Sequence, residues 1–370
     1  MTDLDLELDV VDLTAAICDI ASVSGQEGPL ADAVEAALRR YDHLVVTRSG
    51  NVVVARTESG RSERVILAGH LDTVPLTEPP NLPTRIVADA QGLPEMWGRG
   101  TVDMKGGVAV QLRLAATLVA PNRDVTYVFY DCEEVESARN GLGRMALSHP
   151  DLLAADFAVL LEPTCAEVEG GCKGTVRVRL STSGVAAHSG RPWTGENAVH
   201  KLAPALSFLS SYEARTVEVD GLIYREGLSA VGISGGAGNN VVPDEASLLV
   251  NYRFAPDLTG EQAVAHLREC FPEYALEVVD LAEGARPGLD RPVAQAFVEA
   301  LGVRVSAKQG WTDVARFSAL GVPAVNFGPG DPLLAHKDDE RVPLSQLRSA
   351  EEALGRWLVG VETDSVPGAS

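Results

Sequence analysis

Four apolar runs give the chain its frame. They are Val65–Ala68, Val125–Tyr130, Phe157–Leu161 and Ala324–Phe327. Each is short and rich in β-branched or aromatic residues, which predicts buried strands. Before and between them lie helical patterns: Asp12–Ile20; a face of Leu30, Ala33, Val34, Ala37 and Leu38; a helix from Val108; and Pro292–Leu301. Ser24 followed by Glu27 reads as a capping box for the second of these. Further strands are expected near His43–Thr47 and Asn51–Ala55, turning at Gly50. Strands alternating with helices predict an α/β unit with a mostly parallel sheet.

After Gly174 the pattern changes. Val176, Val178 and Leu180 alternate with Arg177 and Arg179, as in a half-exposed strand. Strands at Ala230–Ser234, Ser247–Phe254 and Ala275–Val279, with helices near Asn197–Leu209 and Gly260–Cys270, predict an inserted α+β block with an antiparallel sheet. The expected division is residues 1–174 and 288–370 for the α/β unit and 175–287 for the insert. The tail after Glu362 is expected to be disordered.

The 370 residues suffice for two domains and a sizeable core. A formal net charge of -21 argues against nucleic-acid binding and gives no support to attachment to anionic membranes. The acidic stretch Met1–Glu7 lacks the pattern of a secretory signal, and no apolar run is long enough to span a bilayer. The five cysteines are scattered, without a Cys-x-x-Cys pair. The expected location is the cytoplasm.

Chemistry gathers where the first-unit strands end. Val65–Ala68 runs into Gly69-His70-Leu71-Asp72, Val125–Tyr130 into Asp131-Cys132-Glu133-Glu134, and Phe157–Leu161 into Glu162. Asp103 precedes the helix from Val108, and His336 follows Ala324–Phe327. Ligands of open α/β sheets bind beyond the carboxyl ends of strands. Two histidines and several carboxylates there suit zinc, and so large a donor set suits two ions ~3.5–4 Å apart with a bridging carboxylate. Asp72 is placed to take the proton on the second nitrogen of His70. Glu133 and Glu134, neighbours in an extended chain, should point opposite ways, one to metal and one to water. Such a set supports metal-assisted amide hydrolysis, whereas a protein that only binds needs no second carboxylate beside the metal water. Gly232-Ile233-Ser234-Gly235-Gly236 matches a serine-hydrolase pattern but lacks the strand–elbow–helix setting, and reads as a glycine-rich turn.

The segments Gly69–Pro75, Gly98–Gly107, Glu133-Glu134, Glu162-Pro163 and Ala335-His336-Lys337 resemble, in order, the site motifs of the dizinc amidohydrolases. That family includes aminoacylases, acetylornithine deacetylases, succinyl-diaminopimelate desuccinylases and glutamate-releasing carboxypeptidases. Gly235–Asp244 resembles its lid-domain signature. The resemblance implies an inserted ferredoxin-like lid and dimerisation domain, and two zinc ions per subunit, replaceable by cobalt or manganese. His70 and Glu162 would hold one ion and Glu134 and His336 the other, with Asp103 bridging. It further implies Glu133 as general base and acid, Asp72 orienting His70, a cis peptide after Asp103, and a homodimer in which His188 serves the partner's site. The substrate would be a small acyl amino acid, gripped by Arg253, Asn240 and Thr312. The desuccinylase branch matches best, implying cleavage of N-succinyl-LL-2,6-diaminopimelate. The alternative is deacetylation of N-acetylornithine or cleavage of another acyl amino acid or dipeptide. Many desuccinylases read Gly-Thr-Ser-Asp where this chain has Gly310-Trp311-Thr312-Asp313, and Trp311 is a departure that touches substrate contacts rather than the zinc site.

Overall fold

The run Val65–Ala68 lies inside a strand with almost no solvent exposure, because both faces of its sheet are covered. The computed structural model describes residues 3–236 and 238–360, so the tail after Glu362 lies outside the described residues. The chain divides into two compact units: Met1–Gly170 with Gly288–Ser306 and Arg316–Ser370, and Gly171–Pro287 with Ala307–Ala315.

Among the described residues of the first unit, eight strands make one sheet. They are β1 (Val45–Ser49), β2 (Val52–Arg56), β3 (Arg64–His70), β4 (Asp124–Tyr130), β5 (Phe157–Leu160), β6 (Val168–Gly170), β7 (Val305–Ala307) and β8 (Ala324–Asn326). Their spatial order is β1-β2-β4-β3-β5-β8-β6-β7. The centre is parallel: β3 pairs in parallel with β4 and β5, and β5 with β8. β1–β2, β2–β4 and β6–β8 are antiparallel, so the sheet is mixed rather than mostly parallel. The reason is local. Gly50, at φ +63°, closes a tight hairpin between β1 and β2, and a hairpin can join only antiparallel strands. β6 is a three-residue strand without a hydrophobic signature of its own.

The helix Lys105–Thr117 is buried along nearly all its length and lies close over β3. Glycine makes that approach possible. A Cβ at Gly69 would fall 2.9 Å from a methyl of Val108, and one at Gly107 would fall 2.2 Å from the carbonyl oxygen of Leu161. The helix start, and with it the Asp103 turn, is thereby seated against the ends of the central strands. The core joins Leu67, Val108, Phe129, Phe157, Phe297, Phe327 and Trp357. Trp357 belongs to a helix not expected from the sequence, Leu344–Val359, which buries Leu344, Leu347, Ala350, Leu354 and Leu358 at spacings of three and four. A small antiparallel sheet of Arg85–Ala88, Pro94–Trp97 and Arg341–Pro343 was not expected either.

In the second unit, four antiparallel strands lie in the order Gly227–Gly235, Glu245–Phe254, Gly174–Ser183, Ala275–Ala282. With the helices Ala203–Ser211 and Gly260–Cys270, the chain order of the main elements is β-α-β-β-α-β. Val176, Val178 and Leu180 enter the core beside Leu248, Val250 and Leu267. Arg177 and Arg179 face outward and meet Asp280 and Glu277 at 2.8 Å. Thr259 and Gln262 form a capping box on Gly260–Cys270. The Gly232–Gly236 stretch is not a turn: Gly232–Gly235 continue a sheet-edge strand, with no elbow. Among the described residues, no helix is long and apolar enough to cross a membrane.

Candidate metal centre

The parallel strands place their carboxyl ends side by side, and the candidate ligands sit there. His70 is the last residue of β3, Glu162 follows β5 by two residues, and Glu133 and Glu134 follow β4 by three and four. Asp103 occupies the turn before the helix Lys105–Thr117, and its peptide bond to Met104 is cis. His336 follows a short 3-10 turn with φ at +64°, a left-handed conformation uncommon for a side-chain-bearing residue.

Two trios of donor atoms emerge, each with its atoms within 4.8 Å of one another: His70, Asp103 and Glu162, and Asp103, Glu134 and His336. Asp103 is common to both and divides its oxygens between them. Its Oδ1 lies 3.1 Å from His70 Nε2, and its Oδ2 lies 3.2 Å from His336 Nε2. Both oxygens of Glu134 approach His336 Nε2. Glu133 also joins the cluster, since it, Glu134 and His70 offer atoms within 4.8 Å of one another. Glu133 and Glu134 therefore do not diverge as an extended strand would make them. The chain leaves β4 through Cys132 at φ +58°, and the alternation of side chains stops there.

Asp72 ties the cluster together. It is fully buried, and its carboxylate accepts hydrogen bonds from the backbone N–H of Glu133 at 3.0 Å and of Glu134 at 3.1 Å. The Ser24 hydroxyl donates to it at 2.7 Å. His70 Nδ1 lies 3.0 Å from the backbone carbonyl of Asp72 and 3.5 Å from its carboxylate. The closer partner of the ring is thus the main chain. Ser24 does not cap the helix Gly28–Leu38, whose N-terminus has no side-chain cap bond. It was missed as a site residue because its spacing to Glu27 suggested a local role. Cys132 packs as a buried thiol, with Sγ 3.4 Å from Glu27 Oε1.

The electrostatics show a cluster short of positive charge. Burial and the charge of Asp103 push the Glu134 carboxyl above its usual range. Burial opposes a charge on His70, yet hydrogen bonds to Asp103 and Asp72 raise it well above an ordinary histidine. Hydrogen bonds to Asp103 and Glu134 raise His336 to about 10. Burial works against the charge of Asp103 too, but the two imidazoles hold its carboxyl well below the usual range. Asp72 is also held low, against burial, by His70, the Glu133 amide and Ser24. Imidazole and carboxylate donors in overlapping trios fit divalent ions that favour N and O ligands.

The other sequence candidates belong to the second unit. His188 is exposed on a two-residue strand, and its Nδ1 accepts from Gly190 N–H at 3.0 Å. Asn240 is exposed in a turn, and its carbonyl accepts from Ser189. Arg253 lies on the outward face of Glu245–Phe254. Thr312 is buried, and its carbonyl accepts from the Cys172 thiol at 3.6 Å. Beside it, Trp311 donates its indole N–H to Glu283 O at 3.0 Å.

A mixed α/β sheet whose strand ends carry two histidine–carboxylate trios joined at one aspartate defines a metallohydrolase framework. The chain belongs to peptidase family M20/M25/M40, whose model matches residues 66–359. It is 53% identical over 360 residues to a provisionally named succinyl-diaminopimelate desuccinylase of Mycobacterium tuberculosis, covering 96% of this chain and 100% of the relative. It is 46% identical over 368 residues to the succinyl-diaminopimelate desuccinylase of Corynebacterium glutamicum, covering 96% and 97%. The family resemblance read from the motifs is borne out. Among solved structures, a metallo-carboxypeptidase of Sulfolobus solfataricus matches with a TM-score of 0.76 at 16% identity, covering 95% and 99%. At that identity the likeness is one of fold alone.

Proposed function

We propose that the chain is a metal-dependent amide hydrolase that cleaves N-succinyl-LL-2,6-diaminopimelate to succinate and LL-2,6-diaminopimelate, a cytoplasmic step towards lysine and cell-wall precursors. The observation that carries the chemistry is the Asp103 carboxylate, one oxygen facing each histidine. The near full-length identity to two relatives bearing the desuccinylase name supports the substrate.

His70 and Glu162 would hold one zinc ion and Glu134 and His336 the other, with Asp103 available to both trios. Cobalt or manganese can substitute, since availability and geometry decide occupancy as much as affinity. Two bound zinc ions supply Lewis acidity and a water of lowered pKa. Glu133 would serve as the general base, accepting a proton from the water that attacks the amide carbonyl carbon. It returns the proton to the nitrogen as the C–N bond breaks. Asp72 keeps Glu133 and Glu134 in register through their amides. In the second unit, a ferredoxin-like lid, Arg253 grips a substrate carboxylate as a planar fork, with Asn240 and Thr312 holding further polar groups. The same unit forms a homodimer, in which His188 from a second copy of the chain steadies the oxyanion.

Glu133→Gln tests the mechanism. It should keep the metal content and lower kcat by at least about 100-fold, because an amide cannot accept the proton. Near-normal turnover would refute the role given to Glu133.

A further inference from the structure

Two buried charges behind the centre belong to no step described so far. Arg99 is 3% exposed and Glu340 is 1% exposed. They form an ion pair, Arg99 Nη1 to Glu340 Oε2, at 2.8 Å. The other carboxylate oxygen, Oε1, accepts from the backbone N–H of Val102 at 3.0 Å and of Asp103 at 3.1 Å. Arg99 Nη1 also donates to the carbonyl of Lys337 at 3.1 Å. The pair thus ties the 99–103 segment, which ends in Asp103, to the 336–340 segment, which begins with His336. Backbone bonds run alongside it, from Gly98 N–H to Glu340 O and from Glu340 N–H to Lys337 O. The small sheet continues the link, pairing Trp97 with Arg341.

This geometry has a directional consequence. His70 and Glu162 stand at or just beyond the ends of neighbouring sheet strands, whose ladder sets their spacing. His336 stands on a loop, more than half exposed, in a left-handed conformation. The main sheet does not carry it, and the Trp97–Arg341 pairing stops short of both His336 and Asp103. The Arg99–Glu340 pair sets its distance from Asp103, through the amide of Asp103 on one side and the carbonyl next to His336 on the other.

We propose that Arg99 and Glu340 are positioning residues that hold Asp103 and His336 at ligand spacing, so that the ion held by Asp103, Glu134 and His336 depends on them more than the ion held with His70 and Glu162. The inference rests on the two-metal reading above. Partners that orient metal ligands typically govern affinity by about 10–100-fold.

The test is a cobalt titration of the metal-free full-length protein, followed by calorimetry and by the visible absorption of bound cobalt. Wild type should take up two ions. His336→Ala, which removes a ligand, marks the signal of the affected site. In Glu340→Gln, that signal should weaken by about 10–100-fold, with a changed absorption band, while the other site changes by less than about threefold. Glu340→Gln leaves Arg99 buried without its counter-charge, which can harm folding. The double variant Arg99→Met with Glu340→Gln removes both charges and guards against that. Its thermal stability should recover relative to Glu340→Gln while the weakened site stays weak. Unchanged affinity at that site in both variants, equal losses at both sites, or full recovery of the site with stability would overturn the positioning role. Fewer than two ions on wild type would overturn the two-metal reading, and the positioning role with it.

Discussion

Asp103 is the residue on which the centre turns, and its environment makes a statement about pH. In the metal-free protein it faces two imidazoles. His336 is raised to about 10 by hydrogen bonds to Asp103 and Glu134. His70 is raised well above its ordinary value, its hydrogen bonds outweighing burial. With its pKa near 10, His336 holds a proton at neutral pH that an incoming ion must displace. A ligand whose affinity requires loss of a proton binds more tightly as pH rises, up to the pKa of the proton displaced. Between pH 6 and pH 8, zinc affinity should therefore climb by about tenfold per pH unit for each proton released. Calorimetry in buffers of different ionisation enthalpy measures both quantities. A pH-independent affinity with no proton release would contradict this view of the metal-free centre. The left-handed His336 belongs at the same scale, since strained backbone at a ligand position is a common mark of a functional site.

At the scale of elements, the strand Gly227–Gly235 stands out. It lies at one edge of the second-unit sheet and exposes Val231 and Ile233, at 55% and 59%. An apolar edge strand is open to pairing with another chain. The proposed homodimer should appear as a doubled mass by light scattering, and Ile233→Lys should shift it to the monomer. A wild-type monomer at micromolar concentration would count against the dimer. Elements with strong local signals were legible in the sequence: the helices Gly260–Cys270 and Pro292–Leu301 were readable residue for residue. The alternation of Val176, Val178 and Leu180 likewise gave the buried face of its strand. Elements defined by their partners were not. Val168–Gly170 is a strand because β8 and β7 lie on either side of it. The hairpin Arg85–Trp97 carries scattered polarity and pairs with a distant segment, Arg341–Pro343. The helix Leu344–Val359 carries an amphipathic signal in Leu347, Ala350, Leu354 and Leu358, but no capping residue marks its start.

At the scale of the whole molecule, donor residues were legible while their supports were not. His70, Asp103, Glu133, Glu134, Glu162 and His336 announce themselves by residue type at strand ends and by motif. Ser24, Arg99 and Glu340 act through contacts that span 48 residues or more. No local pattern encodes such distances, although a carboxylate four residues after His336 was a hint. The kink at Cys132 was invisible for a similar reason, because a positive φ at a non-glycine residue is imposed by the surrounding fold.

The most direct test of metal-dependent desuccinylation compares two substrates, N-succinyl-LL-2,6-diaminopimelate and N-acetylornithine, with zinc-loaded and chelated protein. The expected result is a strong preference for the succinyl substrate that disappears on chelation and returns with zinc. A preference for N-acetylornithine, or turnover that survives complete removal of metal, would contradict it.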